Sequence, residues 1–332
     1  MTTYKDAGVD IDAANQGLTK IKKHVNSTYN KYTLSDVGGF GGCFQFDFTK
    51  YKNPVFVSSV DGVGTKLLIA SLSGIHHTVG QCLVNHSVND ILAVGAKPLF
   101  FLDYFATGKL NNSILENVVK GFSKACRENN CVLIGGETAE MPGFYEGNKY
   151  DVSGTIVGVV EKEDMLSNRK VRPGDLLVGL KSTGLHTNGY SLARKVLLEK
   201  FKIGEHVDFL DSTIENELLA IHKSYYPIIK DVLNNKSIKS VAHITGGGLV
   251  ENTMRVVDDG LSIDVNWDSW EMNKIFKLIM DEGNVPISDM RRTFNLGIGL
   301  VLIINPDYLD DLSNHFSSIN EEFIVIGEVK SK

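Results

Sequence analysis

The hexapeptide Asp61-Gly62-Val63-Gly64-Thr65-Lys66 joins two apolar runs of different character. Upstream, Pro54-Val55-Phe56-Val57-Ser58-Ser59-Val60 has the length and β-branched content of a short buried strand. Downstream, Leu67-Leu68-Ile69-Ala70 opens a helix. A strand–turn–helix junction of this kind restricts the chain to an architecture that mixes strands and helices, α/β or α+β. Glycines in the turn let backbone N–H groups approach an anion, the lysine brings positive charge to phosphate, and the aspartate offers Mg²⁺ a hard oxygen. The turn is not a P-loop, in which lysine directly follows the last glycine. Taken alone, it reads equally well as a glycine turn with an exposed lysine.

The alternation continues along the chain. His77 to Gly95 has helical pattern, Leu99–Phe105 reads as a strand, and Ile114, Leu115, Val118, Val119, Phe122, Ala125 and Cys126 recur at helical spacing. Cys131–Ile134 reads as a short strand ending at Gly135-Gly136, and Asp151–Val160 as another. A charged segment from Glu161, closing on Arg172-Pro173-Gly174-Asp175, marks a boundary. With 332 residues, two domains are expected, 1–165 and 166–332. The second half restarts with the strand Leu176–Leu180, and later strands are expected at Leu261–Val265, Leu296–Ile304 and Phe323–Val329.

Further acids join Asp61. Asp90 lies within the apolar helical pattern of Leu83, Val84, Val88, Ile91 and Leu92, where a carboxylate needs a partner unless it faces water. Gly135-Gly136-Glu137-Thr138-Ala139-Glu140 follows a strand, a common position for α/β ligand sites. Asp61, Asp90 and Glu137, with Glu140, suit Mg²⁺ shared with a triphosphate. In the second half, His186-Thr187-Asn188-Gly189 follows a strand. His186 can act as acid, base or phosphate donor, and Asn188 equally as a helix cap. His243-Ile244-Thr245-Gly246-Gly247-Gly248 again leads into a helix, whose first amides suit an anion. Arg291 and Arg292 could clamp phosphate or remain solvated.

Composition narrows the class. Hydrophobic residues make up 42% and charged residues 22%, as in an ordinary globular protein. A net charge of −6 argues against general binding to nucleic acid or anionic membrane. The polar start, Met1 to Asp6, carries no apolar signal region, and Leu296–Ile304 is too short to span a bilayer. The four cysteines, Cys43, Cys82, Cys126 and Cys131, form no C-x-x-C pair, which points to reduced thiols in the cytoplasm. Cys43 is read as a small buried hydrophobe. Rossmann, zincin, nucleophile-elbow and kinase signatures are missing.

Taken in order, Tyr4–Asp12, Gly38–Gly42, Asp61–Lys66, Val88–Asp90, Gly95–Tyr104, Gly135–Gly143, His186–Gly189, Thr245–Gly248 and Arg292–Asn295 closely resemble the phosphoribosylformylglycinamidine cyclo-ligase (aminoimidazole ribonucleotide synthetase) family of purine biosynthesis. The likeness runs from near the first residue to about Gly299.

It implies a two-domain fold whose N-terminal domain contributes strands to a barrel-like homodimer interface, with a C-terminal α/β domain. It implies a ligase that uses ATP and Mg²⁺, the need for K⁺ being open, to close the imidazole ring of formylglycinamidine ribonucleotide. By motif, Asp61, Asp90 and Glu137 would handle the metal. Gly62, Gly64, Thr65 and Lys66 would cradle phosphates, and Lys5 would contact phosphate from a flap. Gly38, Gly39, Gly41, His186, Asn188, Thr245, Gly246 and Arg292 would serve the substrate, with Lys66, Asp90 and His186 catalytic. Two-domain relatives with other ATP chemistry, such as selenophosphate synthetases and thiamine-phosphate kinases, are the rival readings, together with a non-catalytic nucleotide sensor.

Overall fold

The computed structural model describes residues 2–147 and 149–332. The first half builds a four-stranded sheet from β1 (Pro54–Gly62), β2 (Lys97–Thr107), β3 (Val132–Glu140) and β4 (Tyr150–Glu161). Their spatial order is β1-β4-β2-β3. β4 pairs antiparallel with both β1 and β2, while β2 and β3 are parallel. A parallel pair needs a long crossover, and helix α4 (Asn112–Glu128) provides it. Helices α1 (Ile11–Asn26), α2 (Lys66–Ser73) and α3 (His77–Leu92) complete this half.

The second half contains β5 (Leu176–Lys181), a two-stranded ribbon of β6 (His206–Val207) and β7 (Ser212–Thr213), then β8 (Ile238–His243), β9 (Leu261–Val265), β10 (Ile298–Ile304) and β11 (Phe323–Ser331). The main sheet runs β8-β10-β5-β11-β9, and every pairing in it is antiparallel. β10 is buried along its whole length, in keeping with its unbroken apolar sequence. Helix α5 (Tyr190–Leu198) follows β5 across the His186–Gly189 turn.

The sequence expected β3 to end at Gly135. It continues to Glu140 because the two glycines pair with β2, Gly135 with Leu102 and Gly136 with Asp103. A Cβ at Gly136 would lie 2.2 Å from an Asp103 carboxyl oxygen, so only glycine fits that close approach.

α3 is the central helix, with 14 of its 16 residues buried. It crosses α4 at unusually short range. A Cβ at Gly80 would meet Val118 O at 2.2 Å, and one at Gly121 would meet His77 O at 2.1 Å. The far side of α3 faces the second half through polar side chains. Asn85 Nδ2 donates to His222 O at 2.7 Å and Asn89 Nδ2 to Lys223 O at 2.8 Å, while Asn89 Oδ1 accepts from Tyr225 N at 2.9 Å. These bonds satisfy an irregular buried segment that has no ladder of its own. They fix how the two halves meet, and the site lies at that junction.

Candidate active site

Strand alternation aims Asp61 at α3. Val55, Val57, Ser59 and Asp61 face inward, whereas Phe56, Ser58 and Val60 face out. On α3, His86 and Asp90 are one turn apart and share a face. His86 Nε2 therefore lies 2.5 Å from Asp61 Oδ2 and 3.9 Å from Asp90 Oδ2. Ser59 Oγ donates to Asp90 Oδ2 at 2.9 Å. From the second half, His243 Nδ1 reaches Asp90 Oδ1 at 2.8 Å.

The network closes through three further contacts. His243 Nε2 meets His222 Nε2 at 3.0 Å, His222 Nδ1 is 3.4 Å from Thr187 Oγ1, and that hydroxyl is 2.6 Å from His86 Nδ1. Asp61 and Asp90 remain partly open to solvent, with side-chain exposures of 35% and 28%. Burial opposes protonation of His86, but the Asp61 hydrogen bond and the charges of Asp90 and Asp61 outweigh it and hold its pKa above the usual range. For His243, burial wins over the Asp90 contact and the pKa falls. Burial works to raise the Asp90 carboxyl, yet the His243 hydrogen bond and the charges of His243 and His86 carry it below the ordinary carboxylate value.

The expected residues do not all converge. Asp61 and Asp90 come together; Glu137 does not join them. Asp61, Gly154, Asp103 and Gly136 form one row across the sheet, so Asp61 and Gly136 are three strands, roughly 14 Å, apart. Glu137 is one residue further and points from the opposite, exposed face. Glu140 has a structural role: its two oxygens accept from Leu110 N at 2.8 Å and Asp10 N at 3.0 Å, pinning the N-terminal segment.

Lys66 does not face the phosphate turn either. It is fully buried, and its ammonium donates to Ala220 O at 2.6 Å, His186 O at 2.9 Å and Cys82 Sγ at 3.2 Å. It is the first residue of α2, and its side chain turns inward across the junction of the halves, away from the turn it was expected to serve. Gly62, Gly64 and Thr65 stay near that turn, and Thr65 Oγ1 lies 3.4 Å from Ser191 Oγ. Lys5 is exposed and pairs with Asp10 at 2.6 Å.

His186 sits in the left-handed region, with φ 62°. Its Nε2 accepts from Thr183 N at 3.3 Å and Lys223 N at 3.5 Å. Burial, followed by the positive charges of His243 and Lys66, pushes its pKa well down. A neutral ring whose Nε2 accepts backbone N–H groups carries its own hydrogen on Nδ1. That nitrogen is buried and has no partner among the described residues. Of the acid, base and phosphate-donor roles open to His186 in the sequence, this arrangement favours donation.

The substrate-side residues form two groups. Gly246, Gly247, Arg292, Thr293, Asp289 and Glu251 line an open cleft of about 450 Å³. Asn188 adjoins it, since a Cβ on Gly246 would lie 3.4 Å from Asn188 Oδ1. Thr245 Oγ1 is bonded to Asn252 Oδ1 at 3.2 Å. Arg291 does not join Arg292: its guanidinium lies 4.1 Å from the ring centre of Trp267. Gly38, Gly39 and Gly41 line a separate cavity of about 450 Å³ with Asp103, Gly136 and Glu137, between α1 and β3. Cys43 beside it is exposed, contrary to expectation, because it sits in the same open loop.

Sequence reasoning missed His86, His222 and the place of Thr187 between them. The i,i+4 pairing of His86 with Asp90 was a readable signal. His222 comes from an irregular segment and gave none.

The two halves on either side of this site define the class: the chain is a two-domain AIR synthase related protein. Residues 47–160 match the family described as AIR synthase related protein, N-terminal domain, and residues 172–332 match AIR synthase related protein, C-terminal domain. A phosphoribosylformylglycinamidine cyclo-ligase from Citrifermentans bemidjiense is 47% identical over 329 residues, covering 98% of this chain and 94% of its own. The chain belongs to the phosphoribosylformylglycinamidine cyclo-ligase family. The fold is also similar to thiamine-monophosphate kinase from Stenotrophomonas maltophilia, with TM-score 0.68, 16% identity and coverage of 95% and 93%. The hydrogenase maturation protein HypE in complex with ATP gives TM-score 0.66 at 17% identity, covering 98% of this chain and 89% of that one.

Proposed function

We propose that this chain converts formylglycinamidine ribonucleotide to aminoimidazole ribonucleotide with consumption of one ATP. The observation that carries the reading is near-full-length similarity, at 47% identity, to a phosphoribosylformylglycinamidine cyclo-ligase. The γ-phosphoryl group of ATP passes to the formamide oxygen, giving an imidoyl phosphate and ADP. The amidine nitrogen attacks that carbon, phosphate departs with the former formamide oxygen, and loss of a proton completes the ring. An amide oxygen leaves only once it is phosphorylated, and ring closure gains from holding both ends of one molecule together.

The protein's contribution is positioning and charge. Asp61 and Asp90, whose oxygens converge on one imidazole nitrogen and remain partly open, fit Mg²⁺, which binds through one or two carboxylates plus phosphate. They would hold Mg²⁺, which would neutralise charge on the transferring phosphoryl group. Gly62, Gly64 and Thr65 at the start of α2 would receive phosphate oxygens, and Lys5 would reach them from the N-terminal segment. Arg292, Gly246, Thr245 and Asn188 would bind the ribonucleotide phosphate and ribose, while the glycine loop at Gly38–Gly41 would cover substrate. His186 would donate from Nδ1. Lys66 would act by holding the two halves in register.

The domain division we adopt is 1–165 for nucleotide binding and dimerisation and 166–332 for the substrate side. A homodimer is supported by the outer face of the first sheet, where Phe56 is 52% and Val60 67% exposed beside Phe48 at 63%. Glu137 opens on that same face. No helix among the described residues is long and apolar enough to cross a membrane, in keeping with a cytoplasmic enzyme. The test is single-turnover incubation with MgATP and formylglycinamidine ribonucleotide, with aminoimidazole ribonucleotide and ADP expected in equal amounts. Turnover only with thiamine phosphate or selenide would overturn the assignment.

A further inference from the structure

We infer that His86, His243 and Asp90 form a binding site for a borderline divalent cation of the Zn²⁺ or Co²⁺ type, which clamps the two halves together when nucleotide is absent. One ligand atom from each of these residues lies within 4.8 Å of the other two. Two imidazoles and a carboxylate are the donors such ions prefer, whereas Mg²⁺ takes oxygen. Asp61 Oδ2 is 2.5 Å from His86 Nε2, a hydrogen-bond contact closer than the roughly 3.3 Å between two donors of a tetrahedral ion, so it stands outside the ligand set.

Each donor is already held by a second contact on its far side. A metal at His86 Nε2 leaves Nδ1–H to donate to Thr187 Oγ1, 2.6 Å away. A metal at His243 Nδ1 leaves Nε2–H to donate to His222 Nε2, 3.0 Å away. Ser59 Oγ holds Asp90 Oδ2 and leaves Oδ1 facing His243. Ligand imidazoles oriented through their second nitrogen are the usual outer arrangement of metal centres.

His86 and Asp90 come from α3 and His243 from β8, so the ion would tie the halves together. It would also take Asp90, one of the two carboxylates assigned above to Mg²⁺.

The experiment is a Co²⁺ titration of the full-length, metal-stripped protein without nucleotide, read by visible absorption and metal content. One Co²⁺ per chain is expected, with d–d bands of a nitrogen/oxygen site that Zn²⁺ removes and equimolar Mg²⁺ does not. His86→Leu should abolish the bands. Thr187→Val, which changes only the outer contact, should weaken binding about 10- to 100-fold. Circular dichroism of each variant separates lost binding from lost folding. Absence of a visible band in the unmutated protein overturns the inference, as does a near-ultraviolet thiolate-to-cobalt band or unchanged binding in a folded His86→Leu. No nucleotide or substrate enters the titration, so its outcome is independent of the proposed reaction.

Discussion

His243 Nδ1, on the last residue of β8, lies 2.8 Å from Asp90 Oδ1 on α3. A carboxylate of the first half is therefore oriented by the second half. Asp90→Asn keeps a polar partner for His243 but removes the charge that would hold Mg²⁺. The expected result is a fall in kcat of about 10²–10³-fold, the scale of losing one preorganised electrostatic group at a reacting centre. Steady-state kinetics check this, with thermal melting to show that the junction still forms.

Lys66 gives a prediction opposite to that of a phosphate-binding lysine. Lys66→Met strands the carbonyls of His186 and Ala220 in a buried site. Stability should fall by about 1–3 kcal/mol, read from the denaturant midpoint. The KM for ATP should stay unchanged, because loss of folded protein lowers Vmax and leaves KM alone. A large selective rise in that KM without loss of stability would return Lys66 to the phosphate.

Asp103 faces inward beside Gly136, and burial, only weakly offset by a backbone hydrogen bond, pushes its carboxyl up to about 7. In the unfolded chain it titrates near the ordinary aspartate value, so between about pH 4 and 7 the native state binds more protons than the unfolded state. Stability from this group is thus greatest at low pH and declines as pH rises to about 7. Asp103→Asn should remove that decline and be the more stable protein at pH 8, as judged by denaturation across pH. A Asp103 carboxyl carbon signal that titrates near 4 would contradict the placement.

The outer face of β1 predicts association. Sedimentation should give a dimer, and Phe56→Glu, which sets a charge where a half-exposed aromatic stands, should shift it to monomer without unfolding the chain.

Much of the fold was legible because strand and helix periods are local properties. The β-branched run before Asp61 marked β1, and the apolar run Leu296–Ile304 marked β10. β3 was cut short because glycines usually end strands, and their reason for staying in one, the Asp103 contact, comes from a neighbouring strand. The site was legible as a set of residue types, less so as a geometry. Asp61 and Asp90 meet because strand register and helix phase agree. Glu137 resembles them in sequence but sits on the other face three strands away. Lys66 and His186 follow from docking of the halves, through contacts 120 residues apart that no local pattern encodes.

The most direct measurement follows the oxygen. With formylglycinamidine ribonucleotide carrying ¹⁸O in its formamide group, MgATP and the purified protein, the account predicts one ¹⁸O in the inorganic phosphate for each aminoimidazole ribonucleotide formed. Unlabelled phosphate accompanying ring closure would contradict phosphorylation of the formamide oxygen.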